Sequence, residues 1–261
     1  MIQSVPILMY HAVAERPPST TRRLSVSPRA LEEQLAYLVA HGFTGLTFAQ
    51  LARAFRSGTE LPERPVALTF DDGYADFVSD AWPILSRYGF SATVFVTTGW
   101  IADAGAHAAG RSPDRMMSWA QIRELAASNI EIGAHSHSHP ELDQIDVAQM
   151  SHELMGSREL LENGIGRGVT TLAYPFGYAS ARVRAAARTA GFESAAAVRN
   201  MRATRSDDPF MLPRLTIRRA TSMASFAAMV SGPGATILRW ERLLTAGWAP
   251  LRAAKRSARR S

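Results

Sequence analysis

Apolar and polar positions along this 261-residue chain follow two alternating periods. Short runs such as Val5-Pro6-Ile7-Leu8-Met9-Tyr10, Pro65-Val66-Ala67-Leu68-Thr69-Phe70 and Ala92-Thr93-Val94-Phe95-Val96 are almost continuously apolar. That is the pattern of strands covered on both faces. Between them lie stretches whose apolar residues recur every three or four positions: Leu31, Leu35 and Leu38, then Leu51, Ala54 and Phe55, then Phe77, Ala81, Ile84 and Leu85. Helix-start signals stand at Ser27-Pro28, Thr47, Ser118, Asp146 and Ser222, and Gly42, Gly58 and Gly89 close three of the helices. Further strands are predicted at 43–46, 130–134, 170–173, 194–198 and 212–217, and helices at 75–88, 119–127, 147–163 and 179–190. Residues 98–113, rich in Gly, Ala and small polar side chains, read as a long loop. Buried strands alternating with helices over short connections mean an α/β fold with a parallel sheet. About seven such units suggest a closed or nearly closed barrel. No linker splits the chain, so the expectation is one domain over residues 1–235 and a tail over 236–261.

Composition changes this picture little, and charge changes it in one place. Hydrophobic residues make up 46% of the chain and charged residues 20%, ordinary values for a globular protein. Of the net charge of +6, all falls in residues 236–261, where seven basic residues face one acidic residue. The first 235 residues carry 22 of each sign. A nucleic-acid-binding core is therefore not expected. Within the tail, Trp240, Leu243, Leu244 and Trp248 interleave with arginines as in a helix lying on an anionic membrane surface, and a frayed basic tail fits the same residues. The N-terminus lacks the charged and apolar stretches of a secretory leader, so the expected location is cytoplasmic, peripheral to the inner membrane face if the tail docks there. With no cysteine, any metal must be held by His, Asp or Glu.

Chemistry gathers at the ends of the predicted strands. The run at 65–70 stops in Asp71-Asp72-Gly73. Two adjacent carboxylates past a buried strand repel each other unless a cation separates them or one takes a proton. A strand-ending turn is the plain alternative. The strand at 130–134 runs into His135-Ser136-His137-Ser138-His139-Pro140. His135 and His139 would share one side of a helical turn, and an extended chain would bring in His137 instead. The strand at 170–173 leads into Tyr174-Pro175-Phe176-Gly177. In a barrel these three segments converge on one mouth. Two histidines plus Asp72 leave coordination positions open for water and substrate, as in a catalytic metal site.

Those three segments, in that order, resemble the motifs of the polysaccharide deacetylases, carbohydrate esterase family 4. The opening Ile7-Leu8-Met9-Tyr10-His11 and the late Leu212-Pro213-Arg214-Leu215 are similar to the branch containing the poly-N-acetylglucosamine deacetylases. The resemblance implies a distorted (β/α)7 barrel and metal-dependent removal of an N-acetyl group from an amino sugar in a polysaccharide, lipid-linked glycan or glycoconjugate. It implies that Asp72, His135 and His139 hold a divalent metal, zinc first and cobalt or nickel as alternatives. It assigns Asp71 as general base and the backbone N–H of Phe176 to the oxyanion, with Pro175 fixing the turn. The family's third motif usually begins with arginine, where this chain has Ala173, and Arg214 is the expected replacement. The family's C-terminal Leu-x-His is missing, and His11 is the expected acid. Tyr74, Tyr174 and Pro175 are expected at the substrate, with Tyr10, Trp100, Trp119 and Tyr178 near the mouth. A deformylase or O-acetyl esterase on the same scaffold, or an idle carbohydrate-binding barrel, are the alternative functions.

Overall fold

The structure, a computed structural model, describes residues 4–231. The anticipated tail at 236–261 and its amphipathic pattern lie outside these residues.

Eight parallel strands form the sheet: β1 (Ile7–Tyr10), β2 (Thr44–Leu46), β3 (Pro65–Phe70), β4 (Ala92–Val96), β5 (Ile130–Ala134), β6 (Thr171–Ala173), β7 (Ser194–Val198) and β8 (Leu212–Thr216). β1 pairs with β8 on one side and with β3 on the other, so seven strands close into a ring. β2 stays outside it. It pairs with the first half of β3, at Thr44 opposite Pro65, and β4 takes over further along, at Thr69 opposite Thr93. This is the (β/α)7 barrel that the resemblance implied, and a closed form of the barrel that the alternation suggested.

Helices α1 (Pro28–Ala40), α2 (Phe48–Ser57), α3 (Trp82–Arg87), α4 (Trp119–Ala126), α5 (Val147–Ser151), α6 (Ser157–Ile165), α7 (Ala181–Thr189) and α8 (Met223–Ser231) follow the chain order. The start signals act as read. Ser27, Thr47, Ser118 and Asp146 each accept a hydrogen bond from the third residue on, satisfying an N–H that the helix cannot. The predicted helix at 75–88 proves to be a π turn (Phe77–Ala81) leading into α3, and α5 passes through a second π turn (His152–Gly156) into α6.

The strands divide their side chains between two cores. Leu8, Tyr10, Val66, Leu68, Phe70, Val94 and Ile132 point outward to the helices. Tyr10 stacks on Phe70 and its hydroxyl donates to Gln34 in α1, so the expectation that it stands near the mouth does not hold. Ile7, Ala67, Phe95, Ala173, Ala196 and Leu212 belong to the inner cluster, with α2 residues Phe48 and Leu51 packed below. This interior is narrow and uses small residues. A Cβ on Gly133 would come within 2.6 Å of the Phe95 ring and 2.7 Å of the Thr171 hydroxyl, so glycine is what admits the ring. The N-terminal end of the barrel is closed. The Glu131 carboxylate accepts hydrogen bonds from the hydroxyls of Thr93 and Thr171 and from the backbone N–H of Ala49. That last bond sets an anion at the positive end of α2.

Candidate metal centre and active site

At the open end, Asp71 and Asp72 leave β3 in opposite directions. Asp71 continues the inward-facing series of Ala67 and Thr69. Its two carboxylate oxygens accept from the terminal nitrogens of Arg214, at 2.6 and 2.7 Å. Arg214 projects inward from β8, is fully buried, and gives a further hydrogen bond to the Thr69 hydroxyl at 3.1 Å. Both strands flank β1, so the pair meets across the barrel interior rather than between adjacent strand ends. Burial by itself raises the pKa of Asp71. Arg214, with help from His135 and His11, overrides it and holds the carboxyl well below the usual range. Asp71 is an ionised, oriented acceptor.

Asp72 adopts a positive φ of 75°, which turns its side chain away from Asp71. Gly73 follows at 90°, packed against Val96. Tyr74 stands beside Asp72, and burial, followed by that anion, raises the phenol's pKa. The Asp72 oxygen Oδ1 is buried without a hydrogen-bond partner. His135 Nε2 and His139 Nε2 each lie 3.5 Å from it. Burial, the largest influence on both rings, pushes their pKa values down to about 4, so at neutral pH neither is a cation pairing with Asp72. His135 Nδ1 is 2.8 Å from the carbonyl oxygen of Ala173, which fixes the N–H there and leaves Nε2 as a lone pair. Three lone-pair donors therefore face one another within 4.8 Å, an arrangement that repels itself when empty and suits a divalent cation.

The histidine spacing does not work as a helical turn. Residues 135–139 form a loop in which Ser136 and His139 both have positive φ, 64° and 62°, and the His139 N–H folds back onto the Ser136 hydroxyl at 3.1 Å. The same loop carries His137 away from the cluster. Its Nδ1 is 2.9 Å from the Thr98 hydroxyl, and its ring meets that of His152. His137 is thus no substitute ligand.

A cavity of about 600 Å³ opens above these groups. His11, Tyr74, Trp100, Phe176, Arg111 and Arg218 are among its walls. Trp100 stacks on His139, and the Phe176 ring meets the same imidazole edge-on. Phe176 is 53% exposed and has a φ of 59°. Gly177 after it leaves room for Val198, where a Cβ would come within 2.4 Å. His11 shares the cavity with Asp71 and His139, and its Nδ1 is buried without a hydrogen-bond partner.

Two expectations about substrate contacts need correcting. The Tyr174 side chain is fully buried and its hydroxyl donates to the Phe210 carbonyl, because the residue turns outward where Ala173 faces in. Pro175 is also buried, and neither side chain lines the cavity. Trp119 lies against Gly164 on α6 rather than at the mouth. Arg111 and Arg218, conversely, carried no signal in the sequence, since loop arginines have no period to mark them.

Residues 58–195 match the family described as polysaccharide deacetylase. YxkH of Bacillus subtilis (strain 168), which carries that family name, is 27% identical over 226 residues, 87% of this chain and 76% of its own. Poly-beta-1,6-N-acetyl-D-glucosamine N-deacetylase of Escherichia coli (strain K12) is 36% identical over 121 residues, 44% of this chain but only 18% of that larger protein. Among solved structures, deacetylase PplD of Streptococcus pyogenes, determined in complex with acetate, superposes with a TM-score of 0.79 at 26% identity, covering 88% of this chain and all of that one.

Proposed function

This chain belongs to the polysaccharide deacetylase family, and from that premise we propose that it is a metal-dependent N-deacetylase acting on an acetylated amino sugar within a glycan. One observation carries the reading: the unpartnered Asp72 Oδ1 faces two neutral imidazole nitrogens, directly beside an ionised carboxylate held by arginine.

Asp72 Oδ1, His135 Nε2 and His139 Nε2 would hold the metal, for which zinc, cobalt and nickel all suit the donor set. A divalent ion there supplies a water acidified towards neutral pH and an electrophile for the acyl oxygen. Asp71 accepts the proton of the attacking water on a carboxylate oxygen. Arg214 keeps that carboxylate ionised and fixes its plane while it waits. The backbone N–H of Phe176 is our candidate donor to the oxyanion, worth about 3 kcal/mol in comparable sites. His11 is the candidate acid for the departing amine, standing in for the C-terminal histidine this chain lacks. Tyr74, Trp100 and Phe176 offer ring faces to a sugar.

The relatives' names support an N-acetylglucosamine polymer as the substrate class. Lipid-linked amino sugars extend that class at the cytoplasmic membrane face. A deformylase fits the same site, because a single methyl group discriminates weakly. The deciding experiment measures acetate and formate released from N-acetyl and N-formyl amino-sugar oligomers by metal-stripped and metal-restored protein. Acetate release that returns with metal and disappears in Asp71→Asn is expected. Release that persists in Asp71→Asn, or formate alone, would overturn the assignment.

A further inference from the structure

The loop that presents His135 and His139 has its backbone polar groups held from both sides. On one side the turn at Thr98–Trp100 supplies two donors: Thr98 N–H to the Ser136 carbonyl at 3.3 Å and Gly99 N–H to the His137 carbonyl at 2.7 Å. Gly99 fits this role, since a Cβ there would come within 2.6 Å of that same carbonyl. On the other side stands one side chain. Glu153 accepts from the His137 N–H and the Ser138 N–H, both at 2.8 Å on a single oxygen, and from the Ser138 hydroxyl at 2.5 Å on the other.

Glu153 is buried and sits in the π turn between α5 and α6, where it and Leu154 are both turned inward. Such one-residue bulges in helices recur at functional sites. A buried carboxylate with three donors and no basic side chain among those partners is an unusual way to support a surface loop. A backbone carbonyl or a water could satisfy any one of those donors. Only a forked acceptor satisfies all three at once and so fixes the loop's shape.

We propose that Glu153 is a positioning residue for the metal pocket. By clamping residues 137 and 138 it holds the strained loop in the one shape that aims His135 Nε2 and His139 Nε2 at Asp72. It touches neither the ligand atoms nor the cavity. It acts through the positive-φ residues Ser136 and His139, whose conformations depend on the bonds around them. The inference rests on the metal-binding reading above.

The test is the apparent affinity of the purified protein for Co²⁺ and Zn²⁺, by competition with a chromophoric chelator, together with hydrogen exchange of residues 136–139. Glu153→Ala is expected to weaken metal binding by about 10- to 100-fold, as loss of an outer-shell partner does. It should also speed exchange at His137 and Ser138 in the metal-free protein and alter the visible spectrum of the cobalt form. Glu153→Gln keeps the fork, since its oxygen accepts both N–H groups and its amide donates to the Ser138 hydroxyl. It should bind within about threefold of the unsubstituted protein, on the same scale.

A folded Glu153→Ala variant with unchanged affinity and exchange would overturn the proposal, as would a Glu153→Gln variant as weak as the alanine. Should the alanine variant not fold, Glu153→Asp keeps the charge but withdraws the carboxylate by one methylene, and the same losses are expected in smaller measure. If the unsubstituted protein binds no metal, the metal-binding reading falls, and exchange at His137 and Ser138 still decides whether Glu153 orders the loop.

Discussion

Arg214 and Asp71, 143 positions apart, meet inside the barrel through two parallel hydrogen bonds of 2.6 and 2.7 Å. The family's usual arginine would stand at Ala173, on β6. Here β8 supplies the guanidinium from elsewhere on the ring, and position 173 shrinks to alanine in the inner cluster. The pair costs desolvation to bury, and losing one partner strands the other.

Arg214→Lys tests that geometry. Lysine retains the charge but cannot grip both oxygens. We expect turnover to fall by about 10²-fold, the scale of a misplaced catalytic group, with metal affinity unchanged. Arg214→Met should go further and destabilise the fold by about 3–5 kcal/mol, because Asp71 is left buried and unpaired. Denaturant titration beside steady-state kinetics measures both, and an Arg214→Met variant of undiminished stability would show that Asp71 does not depend on its partner.

Asp72→Asn separates metal binding from folding. In the metal-free protein Asp72 Oδ1 is a buried acceptor without a donor, so removing its charge should raise the melting temperature by a few degrees, about 1 kcal/mol. Metal at 100 times its Kd should stabilise the unsubstituted protein by about 2.7 kcal/mol. That second effect should vanish in the variant. Thermal melts with chelator and with metal give both numbers.

Asp76 predicts a pH dependence. Burial, the largest influence, outweighs the hydrogen bond from the Val13 N–H and pushes its carboxyl up from 3.8 to about 7. Below about pH 4 the group is protonated in both folded and unfolded chains. Between about 4 and 7 the folded chain keeps a proton that the unfolded chain releases, so stability falls as pH rises and the loss is complete above 7. The full shift corresponds to about 4 kcal/mol, which partial exposure reduces to about 1–2. Asp76→Asn should flatten this slope. Melts from pH 5 to 8 that show the same slope in both proteins would rule the explanation out.

Gly133→Ala should destabilise the barrel by about 1–3 kcal/mol through the clash with Phe95. Phe95→Leu in the same chain should recover part of that loss, a coupling that a double-mutant cycle resolves.

Much of this was legible beforehand because strand ends announce themselves. A buried apolar run that stops in Asp71-Asp72 or in His135 identifies both a strand and its chemistry. What the chain could not display was which way each strand faces. In a barrel both faces are apolar, so nothing in the run 170–173 says that Ala173 looks in and Tyr174 out. The shape of the histidine loop was equally hidden. Four of the non-glycine residues with positive φ, Asp72, Ser136, His139 and Phe176, surround the metal pocket, and although aspartate and histidine tolerate that region better than most side chains, nothing local in the sequence says that it is used there. Between Ser136 and His139 the loop is held through His137 and Ser138, whose three donors Glu153 accepts from a turn whose pattern marks it only as one more charged position.

The stoppered floor of the barrel has a consequence for traffic. With Glu131, Phe48 and Phe95 packed at the far end, the pocket around Asp71 and Asp72 is reached, among the described residues, from the side of the strand C-termini, where Trp100, Phe176 and His11 line the cavity. Those three side chains are therefore the first that a molecule approaching the metal ligands meets.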